Sequence, residues 1–422
     1  MSGWQPLKIR DLGRVVTGKT PPTESAEYYD GDELFVSPKD LTWNSYYVDS
    51  TATRISEKAL DKFKGQVIPR DAVMFTSLSF AFGKMGIAGR SCITNQQINS
   101  IIVNDRHCAL FVYYLLRAYE PHIFAYNSGI DTPIVPKSVF ERIPVLVPGK
   151  TIQEKIAALL SAYDDLITNN QRRIALLESM AEEIYREWFV RMRFPQYATL
   201  KGDELMPPGW SRQPIGELAV LIKRGISPDY ADQSEHQVIN QKCIRGSRVS
   251  MSEARPHMSV VPDEKLLRFG DVLINSTGVG TLGRAAVFDI EADGITCDSH
   301  VTILRPKDVA VLGEFLAYTI QLLQPYFESM ASGSTGQAEL GRELIGRTKV
   351  LVPTLDLLKH FSDTAAPIRR QRRLLLEQNE KLSATRDQLL PRLISGKLRV
   401  DALDIQFPPS MQPSAESRSM RR

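Results

Sequence analysis

Hydrophobic residues recur at intervals of seven in two long stretches of this chain, and each stretch follows a copy of the tetrapeptide Val-Leu-Val-Pro. The repeating positions of the first stretch are Ile156, Tyr163, Asn170, Leu177 and Ile184. Those of the second stretch are Phe361, Ile368, Leu375, Leu382 and Leu389. A seven-residue repeat is typical of helices that pack as a coiled coil, here with Asn170 as a polar interruption. The pattern predicts two long helices whose seams pack against each other.

Residues near the ends of these stretches indicate where the helices begin and stop. Thr151 and Glu154 fit a capping box, in which each side chain binds a free amide of the first turn. Pro367 predicts a kink or a restart in the second helix, because proline lacks the amide hydrogen that a helix interior needs. Gly396 is a suitable stop for the same helix.

The segments that precede the two predicted helices are similar in sequence. FVSPKDL at residues 35–41 matches VINQKCI at 238–244, and RDAVMFTS at 70–77 matches GDVLINST at 270–277. Inside both copies, short β-rich runs bounded by Gly, Pro and Asn predict strands. Several matches in the same order indicate an internal duplication whose period is half of the chain.

We therefore expect an α+β fold with two tandem modules of mixed α/β structure, separated by two long helices that form an antiparallel coiled coil, and with pseudo-twofold symmetry. The expected boundaries are a first module at 1–150, a first spacer helix at 151–194, a linker at 195–206, a second module at 207–353, a second spacer helix at 354–399 and a disordered tail at 400–422. The tail is expected because its sequence is polar and rich in proline.

Composition narrows the class of protein without indicating its function. The 422 residues are 43% hydrophobic and 24% charged, which is ordinary for a soluble globular protein. No apolar run is long enough to span a membrane, and Lys8, Arg10 and Asp11 stand where a signal peptide needs apolar residues, so we expect a cytoplasmic protein. The net charge of +3 is compatible with nucleic-acid binding but does not argue for it, and the four dispersed cysteines favour neither zinc nor disulfides.

Motifs of enzyme active sites do not assemble in this sequence. GVGTLG at residues 278–283 has the spacing of a dinucleotide fingerprint, but the residues after it predict a strand instead of the helix that would hold a pyrophosphate. A β-turn is the favoured interpretation. We expect no catalytic residue, no cofactor and no metal site in this chain.

Polar loops at matching places in both modules are the candidate sites for binding DNA. Amide side chains suit adenine edges, arginine suits guanine, and lysine or serine can hold phosphates. The candidates of the first module are Ser37, Lys39, Thr76, Ser77, Ser79 and Lys84. Those of the second module are Asn240, Gln241, Lys242, Arg245, Arg248, Asn275, Ser276, Thr277 and Arg284. An ordinary polar surface is the alternative for each loop.

A basic run, RRQRR at residues 369–373, lies on the second predicted helix. Such a run is usually a solvated helix face, but it could also contact phosphate or an acidic partner. The sequence leaves these alternatives open.

The long segment IQEKIAALLSAYDDLI at residues 152–167, continued by NNQRRIALLE at 169–178 and IYREWF at 184–189, resembles the specificity subunits of type I restriction–modification enzymes. The ending LLPRLISGKL at 389–398 is also typical of that family, and the tandem arrangement of module and helix extends the resemblance over nearly the whole chain. The resemblance implies two target-recognition domains, each of which reads half of a bipartite sequence in double-stranded DNA.

The resemblance also implies the partners. Two methyltransferase (modification) subunits would dock on the spacer helices, and restriction subunits would complete the nuclease. S-adenosylmethionine, ATP and Mg²⁺ would belong to those subunits, and no membrane is involved. Two other functions compete with this one. A coiled-coil scaffold that binds only proteins explains the helices but not the paired basic loops, and a self-sufficient methyltransferase lacks its cofactor loop.

Overall fold

The computed structural model describes residues 3–42, 46–78, 80–129, 131–195, 206–278, 280–331 and 338–411. The chain divides into two compact units. Unit 1 comprises Met1–Arg172 with Leu375–Arg422, and unit 2 comprises Arg173–Leu374. Both divisions fall within long helices, so each unit contains one α/β module together with a part of each helix.

The strands of unit 1 are β1 (Trp4–Lys8), β2 (Gly13–Thr17), β3 (Tyr29–Val36), β4 (Tyr47–Val48), β5 (Thr53–Ile55), β6 (Val73–Thr76), β7 (Met85–Ala88), β8 (Cys92–Thr94), β9 (Ile98–Val103) and β10 (Pro144–Pro148). Its helices are α1 (Ile9–Leu12), α2 (Glu57–Lys62), α3 (Ala109–Phe124), α4 (Lys137–Phe140) and the first part of α5 (Lys150–Tyr185). The strands form sheets of order β2-β9-β6-β7-β4, β5-β3-β8 and β1-β10.

The strands of unit 2 are β11 (Ser211–Pro214), β12 (Ala219–Arg224), β13 (Gln237–Ile239), β14 (Ile244–Arg245), β15 (Arg248–Val249), β16 (Arg255–Pro256), β17 (Val272–Asn275), β18 (Ala285–Val287), β19 (Ile295–Cys297), β20 (Val301–Pro306) and β21 (Lys349–Val352). Its helices are the last part of α5, α6 (Val309–Leu322), α7 (Gln324–Met330), α8 (Arg342–Arg347) and the first part of α9 (Leu355–Ile394), whose last part belongs to unit 1. The sheets have the orders β12-β20-β17-β18, β16-β13-β19, β14-β15 and β11-β21.

The strand orders of the two units correspond, which confirms the predicted duplication. In both units a central, mainly antiparallel sheet, to which unit 1 adds β4 parallel to β7, lies beside a smaller sheet that contains a parallel pair, β3 with β8 and β13 with β19. The two Val-Leu-Val-Pro segments contribute β10 and β21, which pair with β1 and β11, the first strands of their units. The repeated tetrapeptide therefore joins the end of each module to its beginning, directly ahead of the long helix.

Each core packs the central helix of its module between the sheet and the long helices. In unit 1, helix α3 is buried at every position from Leu110 to Leu116, so it is apolar all round. Its core cluster also includes Phe75 of β6, Leu160 of α5 and Leu393 of α9. The module and the two helix segments of a unit therefore share one hydrophobic core.

The long helices run antiparallel within each unit, as predicted. In unit 1, the Asn170 amide donates to Asn379 Oδ1 at 2.9 Å, whereas Asp164, earlier on α5, contacts Arg386, later on α9. In unit 2, Glu178 lies 3.6 Å from Arg372, whereas Tyr185, later on α5, has its ring 5.9 Å from that of Phe361, earlier on α9.

The helix ends differ in part from the sequence prediction. Helix α5 begins at Lys150, and the Gly149 carbonyl accepts the amide of Ile152, so Thr151 lies inside the first turn and is not the cap. The α-helix ends at Tyr185, well before residue 194, and a π-helical turn follows it.

The second helix tolerates the proline that was expected to interrupt it. Pro367 lies within the continuous helix α9 on an exposed face, where its ring meets solvent. The predicted stop is confirmed, because Gly396 has a left-handed φ of +70° just past the end of the helix.

The seam is more polar than the heptad pattern predicted. Four of the predicted seam positions are buried: Ile156, Asn170, Phe361 and Leu375. The other six are half-buried: Tyr163, Leu177, Ile184, Ile368, Leu382 and Leu389. Between these positions Asp164 and Arg386, each with 3% of its side chain exposed, form an ion pair. Asn170 is therefore not the only polar residue of the seam.

The C-terminal segment was expected to be disordered from residue 400, but residues 400–411 are packed on unit 1. Lys155 Nζ donates to the carbonyl oxygens of Asp401 and Leu403, each at 2.8 Å, and Ser410 Oγ donates to Asp165 Oδ2 at 2.6 Å. Residues 412–422 of the predicted tail and 196–205 of the predicted linker lie outside the described residues.

Candidate nucleic-acid interface

The topology of unit 1 brings several polar loops to one end of its central sheet. Strand β6 ends at Thr76, which pairs with Ile98 at the start of β9, and β9 in turn places Asn99 opposite Thr17 at the end of β2. The turn after β3 joins them, because the Asn95 amide donates to the Val36 carbonyl. We call the loops at residues 18–25, 37–40, 77–84 and 95–97 loop edge 1.

Side-chain hydrogen bonds link these loops to one another. Thr20 and Gln96 are joined through Thr20 Oγ1 and Gln96 Oε1 at 2.5 Å, and Asn99 Nδ2 donates to Ser77 Oγ at 2.8 Å. Lys84 Nζ lies 3.5 Å from the carbonyl oxygen of Pro38. Loop edge 1 is therefore a connected polar surface.

The candidate residues of the first module take different positions on this edge. Lys39 is exposed, Ser37 and Lys84 are half-buried, and Ser37 Oγ donates to Asp40 Oδ2 at 2.7 Å. Ser79 lies outside the described residues.

Two candidates of the first module are corrected by the structure. Thr76 and Ser77 are buried, at 0% and 5% exposure, and Ser77 Oγ accepts the hydrogen bond from Asn99 on the neighbouring strand. They fix the base of the loop and are not available to DNA.

Unit 2 repeats the arrangement with different residues. Asn275 at the end of β17 pairs with Val301 at the start of β20, and Arg224 at the end of β12 pairs with Thr302. Strand β13 ends beside β19, its parallel neighbour. We call the loops at residues 225–229, 240–243, 276–284 and 298–300 loop edge 2.

Gln241, Thr277 and His300 connect the loops of edge 2. Gln241 Nε2 donates to the Thr277 carbonyl at 2.9 Å, and Thr277 Oγ1 lies 2.9 Å from His300 Nδ1. Asn240 is half-buried and caps the next turn, with its Oδ1 accepting the Lys242 amide at 2.8 Å. Gln241 and Thr277 therefore lie on loop edge 2, as predicted, and a hydrogen bond between them fixes their positions.

Two candidates of the second module are buried, which corrects their assignment. Asn275 and Ser276 have 0% exposure. The Asn275 amide donates to the Gln241 carbonyl at 3.2 Å, and the hydroxyls of Ser276 and Thr302 lie 2.6 Å apart. As at Thr76 and Ser77, the end of the central strand faces the interior.

The arginines and the lysine after β13 separate into two groups. Lys242 and Arg245 are exposed. Arg248 instead forms two hydrogen bonds of 2.6 Å to the carboxylate of Glu178 on α5, so it is occupied within unit 2 and is removed from the DNA-binding candidates. Arg284 is half-buried and shares with Arg245 a cleft of about 260 Å³.

The basic run at residues 369–373 anchors the module of unit 2 to helix α9. Arg369 donates to both oxygens of Glu314 at 2.7 and 2.6 Å, and Arg372 donates to Asp289 at 2.8 Å. Burial lowers the pKa of Arg369, but Glu314 more than compensates, so the pKa stands above that of free arginine. The sequence left open whether this run is a solvated face, a phosphate contact or a contact to an acidic partner. For Arg369 and Arg372 the partners are acidic residues of the same unit.

A family model and individual known proteins all point to the specificity subunits of type I restriction enzymes. Residues 1–179 match the family described as the type I restriction modification DNA specificity domain. The MjaIX type I restriction enzyme specificity subunit of Methanocaldococcus jannaschii is 26% identical over 418 residues, covering 95% of this chain and 94% of that protein. The HindI specificity subunit of Haemophilus influenzae is 26% identical over 185 residues, or 42% of this chain and 39% of that protein.

A solved structure, the S subunit of a type I restriction–modification system from M. genitalium, shares the fold with a TM-score of 0.61. Its sequence is 17% identical, and the match covers 92% of this chain and 96% of that one. The first 179 residues of this chain carry the type I restriction modification DNA specificity domain, and nearly the whole chain is similar to type I specificity subunits. The resemblance seen in the sequence is confirmed, and the chain is the DNA-recognition component of a restriction–modification complex, not its enzyme.

The sequence of this specificity subunit did not single out several residues of the loop edges. Thr20, Gln96 and His300 take part in the loop contacts, yet none was a candidate. A signal for one of them existed, because Gln96 belongs to a run of amide residues, Asn95 to Gln97, just ahead of a strand. Their partners are far away along the chain, so the contacts themselves could not be foreseen.

Neither a membrane-spanning helix nor a metal-binding cluster is found among the described residues. Among them, no helix is long and apolar enough to cross a membrane. No group of three or more His, Cys, Asp or Glu side chains that could hold a metal ion is found in those parts of the chain.

Proposed function

We propose that this specificity subunit reads a bipartite DNA sequence, with loop edge 1 contacting one half-site and loop edge 2 the other. The observation that carries the proposal is the duplication of one sheet topology whose matching ends bear unlike polar residues. Equal scaffolds would present equal surfaces to two grooves, whereas unlike side chains would select unlike bases. Lys39 and Lys84 serve edge 1, and Lys242 and Arg284 serve edge 2. Arg245, on β14 just after the loop at residues 240–243, serves the same half-site as edge 2.

Phosphate and base contacts are expected to divide between these residues. Gln241 and Thr277 hold their positions through mutual hydrogen bonds, which suits them to donate and accept at base edges. Lys242 carries a compact charge on a flexible stem at an exposed position, which suits a phosphate. Arg245 can supply a planar pair of donors to a guanine.

The experiment is a selection from randomised duplexes by the full chain assembled with its modification subunits. We expect two short specified sequences separated by an unspecified gap. A single continuous sequence, or no sequence preference at all, would contradict the proposal.

The modification subunits are proposed to dock on the long helices, two to each specificity subunit. In unit 2, Leu176 and Met180 stand one turn apart on α5 with 64% and 53% exposure, so a subunit docked on this face of the helix would cover both side chains. S-adenosylmethionine, ATP and Mg²⁺ would enter with the modification and restriction subunits. Replacing Leu176 with Asp should reduce co-purification of modification subunits, whereas the same change at exposed Glu182 on this helix should not.

The helices are also proposed to act as a ruler for the gap between half-sites. A protein-only scaffold is the competing function, and it predicts that the assembled complex binds random and selected duplexes equally.

A further inference from the structure

The tip of the loop between β6 and β7 carries an aromatic side chain that the proposed contacts do not use. Phe80 is 90% exposed. Its neighbour in the same loop, Phe82, packs edge-on against Phe75 and Phe124 with ring centroids 5.5 and 5.3 Å apart. The loop thus contains one ring that anchors it in the core and one ring that is directed outward.

The base of this loop is held on both sides, so the exposed ring projects from an ordered support. The Thr76 amide donates to the Lys84 carbonyl at 2.8 Å, which closes the loop on itself. The Ser77 amide donates to the Gln97 carbonyl at 2.9 Å, which ties the loop to the rest of loop edge 1. A loop closed at its base before binding loses less conformational freedom when it binds.

The chemistry around Phe80 favours DNA over an apolar protein surface as its partner. Among the described residues of loop edge 1, Phe80 is the single large hydrophobic side chain that is exposed. Protein docking sites of an apolar kind need a contiguous patch, which is lacking in this part of the chain. Lys39 and Gln96, both exposed on the same edge, are instead suited to phosphates and base edges.

Loop edge 2 provides an internal contrast. The matching loop of unit 2 carries Gly278 and Gly280 around its tip, both with positive φ, at 99° and 69°. The sequence between the matched segments contains no aromatic residue there. Any role of Phe80 therefore belongs to the first half-site alone.

We propose that Phe80 inserts its ring into a base step of the first half-site as an aromatic wedge that partly unstacks the duplex. Apolar side chains that enter a base step kink the DNA and let the protein contact more of it. The proposal rests on the proposed function, because it assigns loop edge 1 to DNA.

The test uses the full chain assembled with its modification subunits, after the target has been identified by selection. Duplexes carry 2-aminopurine, whose fluorescence rises when it is unstacked, at one position at a time in either half-site. Each methyltransferase flips its own target base, so a rise is expected at that base in both half-sites. Beyond it, we expect the unmodified complex to raise the fluorescence at one further step of the first half-site and at no further step of the second. Phe80→Ala should abolish this further rise and weaken binding about 5- to 150-fold, the range for losing one aromatic contact with a base.

Two variants control for other effects of the substitution. Phe80→Trp should keep both the further fluorescence rise and the affinity, because an indole ring can also stack. Val220→Ala removes an apolar side chain that is 63% exposed at the end of β12 opposite loop edge 2, and should change neither measurement. Because Phe80 lies at the surface, Phe80→Ala should leave the thermal unfolding of the chain unchanged.

Each other outcome has a distinct meaning. Weaker binding by Phe80→Ala with the further fluorescence rise unchanged would overturn the wedge and leave a contact to a base edge or a thymine methyl. Unchanged DNA affinity with poorer assembly would make Phe80 a contact for a modification subunit, and would also overturn the wedge. If the unmodified complex shows no preference for the selected duplex, the proposed function itself fails.

Discussion

The buried ion pair between Arg369 on α9 and Glu314 on α6 offers a quantitative test of how strongly the α/β module of unit 2 is held to the long helix α9. Both side chains are about one-tenth exposed, at 9% and 11%, and two hydrogen bonds join them. Replacing Arg369 with Met would keep most of the aliphatic stem but leave the Glu314 carboxylate buried without its partner. Loss of one member of a buried pair costs about 3–5 kcal/mol. For a unit of this size we expect its melting temperature to fall by about 6–20 °C.

The assay is thermal unfolding combined with hydrogen exchange in peptides of α6 and α9, because exchange reports the opening of unit 2 separately from unit 1. Arg370→Met is the matched control, since Arg370 is exposed on the same helix. The double variant Arg369→Met/Glu314→Leu should recover much of the loss, because no buried charge is left unpaired. Equal destabilisation by the Arg370 and Arg369 variants would refute the reasoning.

DNA binding provides a second check on the same residue. If Arg369 is internal, its replacement should leave the dependence of binding on salt concentration unchanged in complexes that remain folded. A shallower salt dependence with unchanged stability would restore the phosphate-binding alternative.

Three further predictions follow from the structure. Lys242→Ala should weaken binding about equally for all sequences and reduce the salt slope by about 1, as measured by titrations at several salt concentrations; an unchanged slope would remove Lys242 from the phosphate contacts. Burial raises the pKa of Asp298, and the His300 amide offsets this in part, so stability falls as the pH rises from the unfolded value of about 3.9 through the higher folded value. Asp298→Asn should therefore melt higher than the unmodified chain at pH 7 and lose that advantage below about pH 4, and an advantage that persists in acid would contradict the assignment. Adding one matched heptad to α5 and to α9 lengthens each helix by about 10 Å, which corresponds to about 3 base pairs of DNA. The gap in the methylated sequence should therefore change while both half-sites survive. If the helices are not the ruler, sequencing of methylated sites would show an unaltered gap.

The sequence predicted the elements that depend on local pattern and on repetition. The duplication, the two long helices and the stop at Gly396 all rest on signals within a few residues or on comparison of the two halves. Loop edges 1 and 2 were also indicated, because polar residues recur at the ends of matching strands.

The errors have a common physical origin in partners that are distant along the chain. The role of Arg369 stayed open because its partner Glu314 lies on another helix, and Arg248 looked free because Glu178 belongs to α5. At Thr76 and Asn275 the sequence showed polar residues at strand ends, but only the paired strands determine that these side chains face inward. Charge and polarity can be read locally, whereas burial is set by the whole fold.

The central claim is that the two loop edges read separate halves of one DNA target. Sequencing of methylated sites from cells whose specificity subunit carries Arg245→Ala tests it most directly, because Arg245 belongs to unit 2 and is exposed. The account predicts that one half of the bipartite sequence becomes degenerate at one or two positions while the other half and the gap stay as they were. Relaxation of both halves together, or an altered gap with both halves intact, would contradict it.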